Sequence, residues 1–284
     1  MGRSSMKHIG SIAKQEMKLI IRSRWLASFS ILFTLLALFI VFFGSTGYQA
    51  GYEGFTRMTA GLLNLSLFLV PLLTLLMGST MLAGDKEDGG YQLLLTYPVS
   101  PTSIVLGKYI GMLAAIAAVI LLGYGIVGTV LWITNRTGMF AASLFFLFIA
   151  LTLLLAAIFL AIASVIGVYA STRFQALGIS ILTWALSVLL YEYIVMGVSS
   201  VVPFHWIITL LTTSILFNPV ELIRVWSIVQ MKSGMIFGPT LYDFTIWAEG
   251  STGQIAFCLT AAAWIIAPLA LSIIIVKQGG RIRK

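Results

Sequence analysis

Apolar residues arrive in long runs separated by short polar interruptions, the pattern of a chain that crosses a bilayer several times. Six runs are long enough to cross: 25–44, 59–83, 104–133, 140–170, 176–196 and 255–276. A crossing takes about 20 apolar residues, each adding ~1.5 Å, to cover a core of ~30 Å. Pro71 sits inside the second run and predicts a bend rather than an end, since membrane helices tolerate proline. The fourth run is long enough to tilt or to extend beyond the bilayer. In the third, Gly107 and Gly111 lie four apart, a spacing that permits close helix contact. Residues 6–24 carry a different rhythm. Ile9, Ile12, Ala13, Leu19 and Ile20 fall near one side of a helix, and Lys7, Lys14, Lys18 and Arg22 near the other. That pattern predicts a basic amphipathic helix lying flat among lipid headgroups. The fold class is therefore an all-α integral membrane protein with six transmembrane helices. An amphipathic segment, 1–24, precedes a single six-span domain, 25–284.

The polar interruptions are unequal. The longest on the N-terminal side, 84–103, opens with Asp85, Lys86, Glu87 and Asp88, four consecutive charges in a chain where 9% of residues are charged. Each would cost roughly 2.5–3.5 kcal/mol at mid-membrane, so the cluster belongs at a water interface. Gly89 and Gly90 can end the preceding helix through the left-handed conformation that glycine reaches without strain. Residues 91–97 have room for about two helical turns before Pro98 stops them. Ser100 before Pro101 is a helix start, a capping hydroxyl followed by a proline at the first position. On the same side, 171–175 form a shorter interruption containing Arg173. Loops 46–58, with Glu53 and Arg57, and 134–138, with Arg136, fall on the opposite side. So does an unusually long segment, 197–254. Its apolar stretch 204–217 is too short to cross and predicts a re-entrant or interfacial helix. Asn218, Pro219 and Glu221 then read as a cap, a first-turn proline and a carboxylate reaching back. They predict a helix over 219–230 that leaves Ile223, Trp226 and Val229 to the membrane surface. Breaks follow at 233–234 and 238–239.

Composition sharpens this picture more than it changes it. The chain has 284 residues, 60% of them hydrophobic, with a formal net charge of +8. That charge does not point to nucleic acid, because it gathers beside the apolar runs. Lys or Arg at 3, 7, 14, 18, 22, 24, 86, 108, 173, 277, 281, 283 and 284 fall on one side of six alternating spans. Arg57, Arg136, Arg224 and Lys232 fall on the other. Thirteen against four puts both termini and the 84–103 loop in the cytoplasm. The one cysteine, Cys258, excludes an intrachain disulfide and a cysteine-built zinc site. The first apolar run, preceded by 24 residues and lacking a small-residue cleavage pattern, reads as an uncleaved signal-anchor.

Catalytic chemistry finds little support. There is no phosphate-binding Gly-rich loop with its Lys-Ser/Thr, no His-Glu-x-x-His and no Gly-x-Ser-x-Gly. His8 and His205 fall on opposite sides of the membrane. Glu192, the one carboxylate inside a span, lies 19 residues past Arg173 between two tyrosines, and reads as an anchor at the outer interface. Met231 and Met235 have the softness for Cu(I), but read as packing residues in a chain with eleven methionines. The expectation is a non-enzyme with no metal and no cofactor on this chain.

The order of residues around the long interruption resembles the coupling loop of type-2 ABC transporter permeases. It is carried here by Asp88, Gly89, Leu93, Leu94, Leu95, Pro98, Ser100, Gly107 and Lys108, with Gly90, Gln92 and Pro101 departing from the common form. The outer segment with Asn218, Pro219, Glu221 and Arg224 is similar to permeases of nitrous-oxide-reductase maturation systems. The resemblance implies an elbow helix over 1–24 and a short cytoplasmic coupling helix. It also implies a homodimer in a bacterial cytoplasmic membrane with two copies of a separate ATPase that binds ATP and Mg. Asp85, Glu87, Asp88, Gly89, Gln92, Leu93, Leu94, Pro98, Ser100, Lys108 and Arg173 are the expected ATPase-coupling residues. Asn218, Pro219, Glu221 and Arg224 are expected at an outer gate or at the dock of an extracytoplasmic partner. A general exporter of lipid, drug or peptide fits the same family, and a non-transporting membrane scaffold fits the same features.

Overall fold

The computed structural model describes residues 3–44, 57–89, 100–134, 142–234, 238 and 241–279. Among these residues the chain is helical throughout, without strands. Helix α1 (Arg3–Ile21) is followed after a two-residue break by α2 (Arg24–Gly44), the first span. Helices α3 (Arg57–Glu87), α4 (Pro101–Ile133) and α5 (Ala142–Tyr169) are the second to fourth spans. The fifth is composite: α6 (Arg173–Trp184), a π-helical turn at Ala185–Leu190, and α7 (Tyr191–Ser199). After α8 (Phe204–Phe217), α9 (Pro219–Gln230) and α10 (Tyr242–Glu249), the sixth span is α11 (Ser251–Gly279). Among the described residues six single helices or composite spans are long and apolar enough to cross, in the order the hydropathy pattern predicts.

The core is built on α3 and α5, which approach closely. A side chain at Gly78 would come within 2.6 Å of Leu160, and one at Gly167 within 2.6 Å of Leu82. Small residues at such crossings let backbones meet where lipid supplies no hydrophobic driving force. Tyr124 of α4 is fully buried, edge-on to Phe33 and Phe148 at ring separations of 5.2 Å, with its hydroxyl bonded to Ser66 of α3. Ser79 and Ser180 share a hydrogen bond of 2.7 Å that fastens α6 to α3. Pro71 lies inside α3, as its position in the run predicts. The indole of Trp184 donates to Phe68 O at 3.0 Å, next to the carbonyl that the proline leaves without an intrahelical donor.

The largest departure from expectation is at 204–230. Helices α8 and α9 meet at 107°. The vertex at Asn218 bonds Ser187 while Arg224, six residues on, pairs with Glu192 nearer the end of the fifth span, so the pair enters beside that span and turns back as a hairpin. The apolar stretch 204–217 is re-entrant, one of its two predicted forms. Helix α9, however, does not lie on the membrane surface. Ile223, Trp226 and Val229 are 2%, 9% and 2% exposed, packed into the core beside α5, α8, α10 and α11. Periodicity identified the apolar face of α9 correctly, but a face cannot reveal whether lipid or protein covers it. The loops 46–56, 135–138 and 239–240, the helix expected at 91–97, Met235 and the tail beyond 279 lie outside the described residues.

Candidate functional site at the elbow face

One face of the bundle carries α1 and the ends of α3, α4, α5 and α6. There each of the four consecutive charges finds a partner on a neighbouring helix. Asp85 accepts from the Lys108 ammonium at 2.7 Å. Lys86 donates to Val168 O at 3.2 Å and to Ala170 O at 3.1 Å, neutralising the negative C-terminal end of α5. Glu87 accepts from the Arg173 backbone N–H at 2.8 Å, at the positive N-terminal end of α6. Asp88 pairs with the Arg173 guanidinium. A run that reads as a solvated loop therefore binds three neighbouring helices and, through Lys108, a fourth.

That fourth is α1. Lys108 is 4% exposed and pairs with Glu16 of α1 as well as with Asp85. The elbow approaches this closely because Gly107 and Gly111 present bare backbone: a Cβ at Gly107 would lie 2.8 Å from Ile12, and one at Gly111 2.7 Å from Glu16. Ile12, Ala13, Glu16 and Ile20 thus face α4, while Lys14, Lys18 and Arg22 remain exposed beside Leu19 and Ile21. The apolar side of the amphipathic helix is covered mainly by protein, leaving mixed basic and apolar residues for the membrane.

The turn chemistry around the site follows the sequence. Gly89 has φ of 74°, as a helix-ending glycine requires. Ser100 caps α4, its hydroxyl accepting from Ser103 N–H at 3.2 Å ahead of Pro101. Thr172 caps α6 by accepting from Gln175 N–H at 3.2 Å. Gly84 lies under the Arg173 guanidinium, where any side chain would displace it. Of the residues expected here, Asp85, Glu87, Asp88, Gly89, Lys108 and Arg173 come together, and Ser100 stands at the start of α4. Gln92, Leu93, Leu94 and Pro98 lie outside the described residues. Glu16 was missed. It was visible as the lone carboxylate of a basic helix, but its partner lies 92 positions away.

At the other end of the molecule the second predicted set also converges. Asn218 caps α9 by accepting from Val220 N–H at 2.9 Å, and its amide donates to Ser187 O at 2.8 Å inside the π-helical turn. A π turn loosens the regular backbone ladder, and here Asn218 takes a carbonyl from within it. Arg224 pairs with Glu192 of α7 and with Glu221 at 3.3 Å, so Glu221 is turned to the cation. Glu192, expected as an interface anchor, therefore has a protein partner on the re-entrant hairpin. Beyond it, Gln254 accepts from Trp226 Nε1 and from Gln230 Nε2, each at 2.8 Å, and donates to Ala248 O at 2.7 Å.

No three His, Cys, Asp or Glu side chains among the described residues are grouped to hold a metal ion. What the elbow face offers is a charged junction that ties the end of α3 to α4, α5 and α6 and, through Lys108, to α1. This geometry accords with the comparison of sequences. The family described as ABC-2 family transporter protein matches residues 11–278, nearly the whole chain. The chain belongs to the ABC-2 transporter family. A relative in Pseudomonas aeruginosa, "Probable ABC transporter permease protein NosY", is 31% identical over 274 residues, covering 94% of this chain and 97% of the relative. A protein of the same name in Stutzerimonas stutzeri is 27% identical over 277 residues, 96% of this chain and 99% of the relative. The chain is thus a multi-pass permease subunit of a family that works with an ABC ATPase.

Removing Lys108 tests how this junction is held. Lys108→Met leaves Glu16 buried without its cation, and breaking a buried pair in this way destabilises by about 3–5 kcal/mol. The melting temperature of the detergent-solubilised protein should fall clearly, and Glu16→Gln in the same chain should recover most of the loss. Equal melting temperatures for wild type, single and double variants would show that the triad holds nothing.

Proposed function

We propose that this chain is a permease subunit that works as a homodimer with two copies of a cytoplasmic ATPase, which carries ATP and Mg. The elbow face is the cytoplasmic face, and ATP-driven movement of the ATPase enters through the 84–103 loop. The observation that carries this reading is the four-charge junction. Asp85, Lys86, Glu87 and Asp88 fasten the start of the loop to α4, α5 and α6, and through Lys108 to α1. A displacement of the loop then moves the ends of several spans together. Asp85, Glu87, Asp88, Lys108 and Arg173 act here as positioning residues, whereas the leucines at 93 and 94 supply the apolar contact to the ATPase. The homodimer is supported by the fifth span, whose Leu182, Leu189, Tyr193 and Ile194 stay exposed within the protomer.

Leu94→Asp tests the coupling step. An apolar anchor seated in a protein groove is lost when it is charged, while membrane insertion is untouched because the loop stays in water. ATPase activity of the purified complex should lose its stimulation by the permease. Unchanged binding and stimulation in a well-expressed variant would sink the coupling assignment.

The finer reading is that the energy serves an extracytoplasmic partner in copper-site maturation of nitrous oxide reductase. It is supported by the similarity of the outer segment to such permeases and by the name of the relatives. Helices α8 and α9 belong to the bundle, so the docking platform reduces to the stretch between α9 and α11, with Asn218, Pro219, Glu221 and Arg224 beneath it. Deleting 231–248 should abolish co-purification with the outer partner while ATPase assembly survives. Persistent capture with raised basal ATPase activity would make the stretch a gate instead.

A further inference from the structure

A cavity of about 570 Å³ lies between the fourth, fifth and sixth spans, roofed by the vertex of the re-entrant hairpin at Phe217, Asn218 and Pro219. Phe159 and Ile166 of α5, Leu186 of the π turn, and Trp264 and Leu271 of α11 form its walls. Its depth follows from helix rise. Its lining runs from Ile166, three residues before the end of α5 at Tyr169, to Tyr191, eighteen beyond Arg173. At ~1.5 Å per residue these positions are about 5–27 Å in from the elbow face, so the cavity runs along much of a ~30 Å hydrocarbon core.

The polar groups at the cavity edge are already bonded within the protein. Tyr191 donates to Ser214 O at 2.7 Å, and the Asn218 amide to Ser187 O at 2.8 Å. The hydroxyls of Thr183 and Ser187 donate back to Ile179 O and Thr183 O at 2.8 Å each. The indole of Trp264 donates to Leu216 O at 3.1 Å. A water molecule needs two to four polar partners to stay in place, and a polar ligand needs donors or acceptors of its own. The donors here are spent within the protein, and the hydroxyls of Thr183, Ser187 and Tyr191 offer only acceptor lone pairs, so the apolar walls favour an apolar occupant. A second copy of the chain meets only the rim, where Leu186, Phe217, Ala267 and Leu271 are exposed beside Leu182, Leu189 and Tyr193 of the fifth span. Phe159 and Ile166 behind that rim are 0% and 7% exposed, in a space of about 570 Å³ that a slender chain enters and a helix does not. At this depth what remains is hydrocarbon.

We propose that this cavity is a resident lipid site, holding one acyl chain of a bilayer phospholipid beneath the re-entrant vertex. The chain fills the gap where the fifth span, packed on α3, stands off from α5 and α11. It supports Phe217 and the π turn from below without a hydrogen bond. The site is independent of the coupling assignment and of any transported substrate.

The test uses the complete permease with its ATPase, reconstituted in nanodiscs of phosphatidylcholine brominated at mid-chain. The difference in fluorescence between wild type and Trp264→Phe isolates the signal of Trp264. That signal should be quenched, and should stay quenched after dilution into excess unbrominated lipid, including during ATP turnover. Ala267→Phe, which fills the cavity, should lose the quenching. Leu182→Phe, on the exposed side of the fifth span, should keep it. Should Ala267→Phe fail to assemble, Thr183→Phe fills the same space from the opposite wall. Trp264 unquenched in wild type, quenching that washes out at once, or equal quenching in the filled variants would overturn the proposal. So would disulfide capture between two copies through Ala267→Cys in a chain carrying Cys258→Ser, because a protein surface would then occupy the space.

Discussion

A lysine ammonium buried between two carboxylates from different helices is the constraint on which the elbow face depends. Desolvating a charge is expensive, so Lys108 can be inside only if Glu16 and Asp85 are both in place. That requirement fixes α1 against α4 and sets where α3 ends. The close approach in turn demands Gly107 and Gly111, since any side chain there would drive the elbow away. From the end of α3 the remaining three charges then reach the terminus of α5 and the start of α6. The exposed pair Asp88–Arg173 contributes little stability by itself, because exposed ion pairs are worth about 0–1 kcal/mol. Its value is geometric.

The far half of the molecule is organised by a different device. The fifth span is fastened to α3 by Ser79–Ser180 and by Trp184, then changes to a π turn where the hairpin vertex meets it. Asn218 and Arg224 both reach back to this span, so the hairpin and the fifth span are joined by directional contacts within the turn and just beyond it. The fifth span also begins at Arg173 in the charged junction. One helix therefore touches both the charged junction and the hairpin.

Much of this was legible in the sequence because membranes simplify the problem. Run length gave six spans, and Ser100 and Asn218 cap helices as their residue types require. Proline at 101 and 219 and glycine at 89 mark boundaries where they were expected. Local signals failed where the partner was distant. Nothing within the run 85–88 indicates that its charges would bind neighbouring helices rather than water, and nothing near Glu16 points to Lys108. Ile223, Trp226 and Val229 show the same limit. Their spacing defines a face, while only the 107° bend at Asn218 decides that the face enters the bundle.

The central claim is that the elbow and the ends of the second to fifth spans move as one body when the ATPase acts. Spin labels at Lys18 on α1 and Phe174 on α6, both exposed positions, report on it directly. Pulsed dipolar spectroscopy on the permease–ATPase complex, with and without trapped nucleotide, should return the same distance within a protomer. A shift of several ångströms between the two states would show that the junction opens during the cycle and contradict the account.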